Sequence, residues 1–382
     1  MLERNGAVAA LLSAGGSRRK DGDGQRREWN MSLSEPARER HSRQMRFAPI
    51  GEHGQLALRS SRVLIVGVGS LGASLAQHMV RSGVGELRLA DRDYVEWSNL
   101  QRQMLFDEDD AHLSLPKAIA AADKLRRIDS SVQIEAIVAD LTSPEALEAA
   151  AAGCDLVLDG TDNAAVRLCL NDWCFRNGVP LMYGGIAGAS GMSAPLVPGE
   201  TCCLRCLIGG EQEQESGETC DTVGMLSPAV EMVAALQAAE ALKWLSGNRG
   251  EIRRTLASVG VWPLSLREMR LPGPSASCRI CSGATVVSHT LDSVEAAKTA
   301  VTAVLCGRDT VQVELGATGD PGMYRRRLEQ VGCSVIQNPY LLRAELPTGE
   351  GRLVVFPDGR VLVQGTSDPE EALRCCELYL TG

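Results

Sequence analysis

Gly67-Val68-Gly69-Ser70-Leu71-Gly72 is a G-x-G-x-x-G run that follows a β-branched apolar segment and opens a helical one. Glycines there let the backbone approach phosphate, and a helix N-terminus attracts negative charge. Asp91 ends the next apolar segment, 19 residues after Gly72, where a carboxylate can hold ribose hydroxyls. The motif predicts a nucleotide site but does not choose between NAD, FAD and ATP. A second constellation is sulfur. Cys203-Leu204-Arg205-Cys206 and Cys278-Arg279-Ile280-Cys281 are two C-x-x-C pairs. Four thiolates in that arrangement suit a closed tetrahedral zinc site, which is structural rather than catalytic. Unliganded thiols or redox pairs are the other readings. Cys202 adjoins the first pair and complicates the assignment.

The elements that must position these groups alternate. Val63-Leu64-Ile65-Val66 reads as a strand buried on both faces, Ser70 to Ser82 as a helix and Leu87 to Ala90 as a strand. Lys117 to Ile128 is a helix introduced by Pro116, and Val132 to Ala139 is a strand. Asp155 to Leu158 is another strand, ending at Asp159; Asn163 to Asn177 is helical; Pro180 to Tyr183 is a strand ending in Gly184-Gly185. Such alternation predicts an α/β fold, Rossmann-like and doubly wound, with a mostly parallel sheet. Leu226 to Leu245 is a long Ala- and Leu-rich helix stopped by Gly247 and Gly250.

Asp91-Arg92-Asp93-Tyr94-Val95-Glu96-Trp97-Ser98-Asn99-Leu100-Gln101-Arg102-Gln103 decides the nucleotide. It resembles the D-x-D-x-V-x-x-S-N-L-x-R-Q block of the ThiF/MoeB adenylyltransferases and the adenylation half of E1 enzymes. Arg40-His41-Ser42-Arg43-Gln44 resembles that family's R-Y-x-R-Q, with His for Tyr. Pro116-Lys117 resembles its helix-start lysine, and Asp159-Gly160-Thr161-Asp162-Asn163 its D-x-T-D-N block. The blocks run in the family's order over about residues 38 to 282.

The resemblance implies ATP, Mg2+ and Zn2+ as cofactors, and a ubiquitin-like sulfur carrier ending in Gly-Gly as substrate. A triphosphate carries about four negative charges and needs cationic donors in fixed places. Arg102 and Lys117 are the local candidates, with Asn99, Gln103 and Asn163 as neutral polar neighbours. By resemblance Asp162 organises magnesium, and Arg43 reaches the phosphates of a neighbouring subunit, which implies a homodimer. The four C-x-x-C cysteines occupy the family's zinc positions. Cys220 lies in a segment resembling one whose cysteine takes part in sulfur transfer or thioester formation. Its neighbours Glu218 and Asp221 would raise its pKa and oppose reactivity at rest. A cysteine desulfurase or other sulfur donor is a further implied partner.

Three segments follow: a disordered extension over about 1–30, an adenylation domain over 31–285 and a small α+β domain over 286–382. Met31 is an alternative start. The tail has no rhodanese-type loop. Leu305 to Asp309 and Phe356 to Arg360, the latter reading as a hairpin turn, resemble the extension of some bacterial ThiF proteins, which favours the thiamine branch.

Composition narrows the field. Hydrophobic residues make up 44% and charged ones 23%, ordinary globular values. A net charge of -9 and 4% aromatics argue against nucleic acid or an anionic membrane as partner. No apolar run reaches the ~18 residues of a membrane span. Thirteen cysteines, an odd number, and no secretory signal point to the cytoplasm. Other readings are adenylation of a peptide in natural-product synthesis, an NAD-dependent oxidoreductase, and a non-catalytic scaffold. The oxidoreductase leaves Ser98 to Gln103 and the four cysteines without a role. The scaffold does not account for intact Arg102, Lys117 and Asp162. Gly184 to Gly191 would suit a channel for a thin, extended substrate tail.

Overall fold

A computed structural model describes residues 32–209, 224–282, 301–304, 309–315, 321–347, 349 and 351–381. The expected disordered extension, Cys220 and the 305–308 stretch lie outside the described residues.

An eight-stranded sheet carries the glycine motif. Its strands are β1 (Arg62–Val66), β2 (Glu86–Ala90), β3 (Gln133–Ile137), β4 (Leu156–Asp159), β5 (Leu181–Ala187), β6 (Ser190–Leu196), β7 (Thr255–Val261) and β8 (Leu264–Arg270). They lie in the order β3-β2-β1-β4-β5-β6-β7-β8. Pairing is parallel from β3 to β5 and antiparallel from β5 to β8. Strand order reverses between β1 and β4, so a crevice opens past their C-terminal ends. β1 and β4 can lie there because Leu64, Ile65, Leu156 and Leu158 are fully buried, as central parallel strands require.

Helices cover both faces: α1 (Glu35–Met45), α2 (Gly51–Ser60), α3 (Ser70–Ser82), α4 (Glu108–His112), α5 (Lys117–Ile128), α6 (Pro144–Ala151), α7 (Ala164–Asn177), α8 (Leu204–Ile208) and α9 (Ser227–Leu245). α5 begins and ends as its sequence predicts. β5 does not. It runs on through Gly184 and Gly185, because antiparallel pairing with β6 carries the hairpin to Ala187 and Ser190. Those glycines serve packing. A Cβ on Gly184 would sit 2.3 Å from Oε1 of Gln237 on α9, and one on Gly185 3.0 Å from the Tyr183 hydroxyl. At the far edge, β8 is exposed at every residue, Leu264 and Leu266 included.

The tail builds a six-stranded antiparallel sheet. Its strands are β9 (Val301–Val304), β10 (Thr310–Glu314), β11 (Ser334–Gln337), β12 (Leu342–Glu345), β13 (Arg352–Val355) and β14 (Arg360–Gln364), in the order β11-β12-β13-β14-β10-β9. α10 (Pro321–Gln330) and α11 (Pro369–Cys376) supply Leu328 and Ala372 to a core with Val311, Leu353 and Val355. The β13–β14 hairpin turns at Phe356 to Gly359, as the sequence predicts. A second cluster, Leu341, Val354, Phe356 and Leu362, closes over Tyr94 from the larger sheet's β2–α4 connection. Among the described residues no helix is long and apolar enough to cross a membrane.

Candidate functional site

The crevice between β1 and β4 is built from glycine contacts. Gly67 has φ +80, and a Cβ on it would meet the Gly160 carbonyl at 2.6 Å and Thr161 Cα at 2.7 Å. A Cβ on Gly72 would lie 1.8 Å from the Gly67 carbonyl oxygen. Gly67, Gly72 and Gly160 therefore let two loops interlock. Gly69 differs: a Cβ there meets only Gln103 Nε2, at 3.7 Å. Gly69 is also the N-cap of α3 and supplies no side-chain cap to the first-turn N–H groups. Gln103 beside it is buried, and its Oε1 has no hydrogen-bond partner. An uncapped helix terminus suits an anionic group such as a nucleotide phosphate, and the orphaned Gln103 Oε1 suits a donor on the ligand.

Asp91 fastens the floor. Its Oδ2 accepts from Val68 N at 2.6 Å and its Oδ1 from Asp93 N at 2.7 Å. Burial pushes its carboxyl above the ordinary carboxylate range, and the Lys117 ammonium opposes that shift. Lys117, buried at the start of α5, pairs with Asp93 at 3.2 Å. α5 also lacks a side-chain cap, because Pro116 precedes it.

Asn99 is buried in a 3-10 turn spanning Trp97–Asn99. Its Oδ1 accepts from Glu96 N at 3.1 Å, and its own N–H donates to the Glu96 carbonyl at 2.9 Å, with Glu96 at the turn's N-cap position. The Asn99 carbonyl then accepts from Arg102 N at 3.1 Å and Gln103 N at 2.9 Å. Arg102 donates from Nη1 to the Ser98 carbonyl at 2.9 Å.

The opposite wall is the β4–α7 loop. Asp162 is exposed there, and Asn163 caps α7 by accepting from Val166 N at 3.0 Å. Asp159 is fully buried and pairs with Arg167 Nε at 2.7 Å. Burial raises the Asp159 carboxyl and Arg167 opposes it. Arg167 also donates to the Thr161 and Gly184 carbonyls and lies 5.2 Å from the Tyr183 ring centroid. Gln237 of α9 donates from Nε2 to the Asp159 carbonyl at 3.0 Å and the Met182 carbonyl at 2.8 Å. Those bonds continue the β4–β5 junction past its last register pair, Leu158 with Met182. Sequence reasoning missed Arg167 and Gln237. The only signal was one polar residue at a helical position facing apolar neighbours, which many surface residues share.

The fold thus brings Gly67, Gly69, Gly72, Asp91, Asn99, Arg102, Gln103, Lys117, Asp162 and Asn163 onto the loops around one crevice. Arg43 is not among them. It is exposed on α1, with no hydrogen bond to these loops among the described residues. Arg40 caps the end of α5, donating to the Ile128 carbonyl at 2.7 Å.

The four C-x-x-C cysteines also converge. Their sulfurs lie within 4.8 Å of one another. The Cys203–Cys278 and Cys206–Cys281 separations are both 3.7 Å. A tetrahedron with Zn–S bonds of about 2.3 Å has edges of about 3.8 Å, so the donor set fits zinc. Cys203 N donates to Cys281 Sγ at 3.2 Å, and burial pushes the Cys203 thiol up to about 12. Cys202, though adjacent, is outside the group and bonds through its N–H to the Pro272 carbonyl at 2.8 Å.

Residues 41–280 match the sequence model of the ThiF family. The chain is 40% identical over 331 residues to a sulfur carrier protein ThiS adenylyltransferase of Bacillus subtilis (strain 168), covering 86% of this chain and 95% of that one. It is 39% identical over 256 residues to a molybdopterin-synthase adenylyltransferase of Escherichia coli (strain K12), covering 65% and 98%. A solved structure of E. coli MccB with ATP superposes with a TM-score of 0.55 at 23% identity, over 63% of this chain and 73% of that one, a likeness of fold.

Proposed function

This chain belongs to the ThiF family of E1-like adenylyltransferases, and from that premise we propose that it adenylates the C-terminal glycine of a ubiquitin-like sulfur carrier, releasing pyrophosphate. A carrier of the thiamine type is favoured, because similarity to the Bacillus relative runs over 86% of the chain and that to the molybdopterin relative over 65%. The observation that carries the reading is the crevice at the β1–β4 reversal. It joins an uncapped helix terminus at Gly69 to an exposed carboxylate at Asp162, with Arg102 and Lys117 on flanking segments.

A carboxylate is ionised at neutral pH and needs no general base. The residues must hold it in line with the α-phosphate and offset the charge that grows there. Backbone N–H groups of α3 and the side chains of Arg102 and Lys117 face the phosphates. Asp162 would hold magnesium, which would supply positive charge to offset that of the phosphates. The Arg43 of a second copy completes the cluster, making a homodimer the working unit. The four cysteines hold a structural zinc that ties the segment after β6 to the segment after β8. The Cys220 thiolate would then take the acyl group from the adenylate as a thioester, with AMP leaving, or carry persulfide sulfur passed on by a desulfurase-type donor, in the reducing cytoplasm.

The test is ATP–pyrophosphate exchange with carriers ending in Gly-Gly, repeated with Asp162→Ala. The expected result is exchange that requires the carrier and falls at least about a thousandfold in the variant. A zinc-loaded wild-type protein that binds ATP yet exchanges with no carrier would refute the carrier and favour a peptide substrate.

A further inference from the structure

The six-stranded tail sheet has no part in the chemistry above, yet it contacts two segments that bring cations to the crevice. We propose that this sheet is a clamp that sets Arg102 and Lys117 for the nucleotide, with Arg352 as its central positioning residue. The inference rests on the adenylation reading.

One jaw grips the Asp91 to Gln103 segment. Arg352 on β13 donates from Nη1 to Glu96 Oε1 at 3.3 Å, Tyr94 Oη at 3.4 Å and Gln364 Oε1 at 3.2 Å. Its Nε donates to Glu345 Oε1 at 2.7 Å. Glu96 is at the N-cap position of the 3-10 turn, and Asn99 in that turn accepts the backbone N–H groups of Arg102 and Gln103. Hence a guanidinium on the tail sheet holds the side chain of Glu96, whose backbone N–H and carbonyl both bond to Asn99 at the head of the Arg102 turn. Tyr94 adds apolar weight, packed among Leu341, Val354, Phe356 and Leu362.

The second jaw grips the approach to α5. Asn338 donates from Nδ2 to the Leu113 carbonyl at 2.9 Å and the Ser114 carbonyl at 3.2 Å. Arg343 donates from Nη1 to Ser114 Oγ at 2.8 Å. Ser114 is fully buried with φ 50, a left-handed conformation that a serine adopts only when its surroundings impose it. Three residues later comes Lys117. The two gripped segments are themselves tied, Val95 N to the Leu115 carbonyl at 2.8 Å and Lys117 N to the Asp93 carbonyl at 2.9 Å. Arg343 and Arg352 share Glu345 Oε1, which links the jaws within the sheet.

Full-length wild type, Arg352→Ala, Arg352→Lys and Asn338→Ala would be compared by calorimetric titration with Mg–ATP, which needs no carrier, and by exchange kinetics. The expected result for Arg352→Ala is Kd and KM for ATP raised about tenfold with KM for the carrier unchanged. Arg352→Lys should recover part of that loss, and Asn338→Ala should shift ATP in the same direction. A folded Arg352→Ala protein with unaltered ATP affinity overturns the clamp, as does an equal shift in both substrates. Should Arg352→Ala fail to fold, Asn338→Ala decides alone, and unaltered ATP affinity there overturns it. A wild type that binds ATP but exchanges with no carrier refutes the adenylation of a carrier and leaves the calorimetric comparison intact.

Discussion

At the scale of single residues, the site depends on buried charge. Arg167 compensates Asp159, which is wholly removed from solvent. Arg167→Met should cost about 3–5 kcal/mol in urea unfolding, because the carboxylate is left unpaired. The pH sign follows. A carboxyl whose folded pKa is raised binds its proton more tightly when folded, so stability present at low pH is lost as pH rises through that pKa. The variant's deficit should therefore be smaller at about pH 5 than at about pH 8. His41 runs the other way. Burial lowers its pKa below 6.5. The unfolded state then binds the proton more tightly, and stability is lost as pH falls below that value. His41→Gln should flatten the drop in melting temperature between about pH 7.5 and 5.5. A variant as acid-sensitive as wild type would show that other groups set the trend.

At the scale of elements, the glycine loop separates fold from function. Gly72→Ala pushes a methyl into the Gly67 carbonyl and should yield little folded protein. Gly69→Ala meets only a side-chain amide at 3.7 Å. It should melt within a few degrees of wild type yet bind ATP about tenfold more weakly, since the methyl projects where phosphate must approach. Equal stability losses in both would show that Gly69 is also a packing glycine. The strand–turn–helix context of these glycines was plain from periodicity, because four consecutive buried residues and an amphipathic stretch differ in their repeat. Which glycine packs and which stays open was not, since all three are the same letter.

At the scale of the whole molecule, Arg43 is exposed on α1, where the resemblance assigns it to the site of a second copy. If Arg43 acts across a dimer, Arg43→Ala and Asp162→Ala are each inactive alone. Mixed and re-equilibrated, they should regain up to about a quarter of wild-type exchange, because half of random dimers are hybrids with one intact site. Absence of any recovery from exchanging dimers would place Arg43 in its own subunit's site or outside the reaction.

The sequence by itself determined the alternation of strands and helices, the nucleotide loop, the two cysteine pairs and the family, because each is written in local spacing. The tertiary structure alone decided what depends on distant residues meeting. Arg167 finds Asp159 8 positions away across a loop, and Gln237 reaches the same strand from 78 positions away. Arg352 reaches Glu96 from 256 positions away. Such contacts leave no periodic trace, since a residue's partner across a fold is set by how sheets and helices stack.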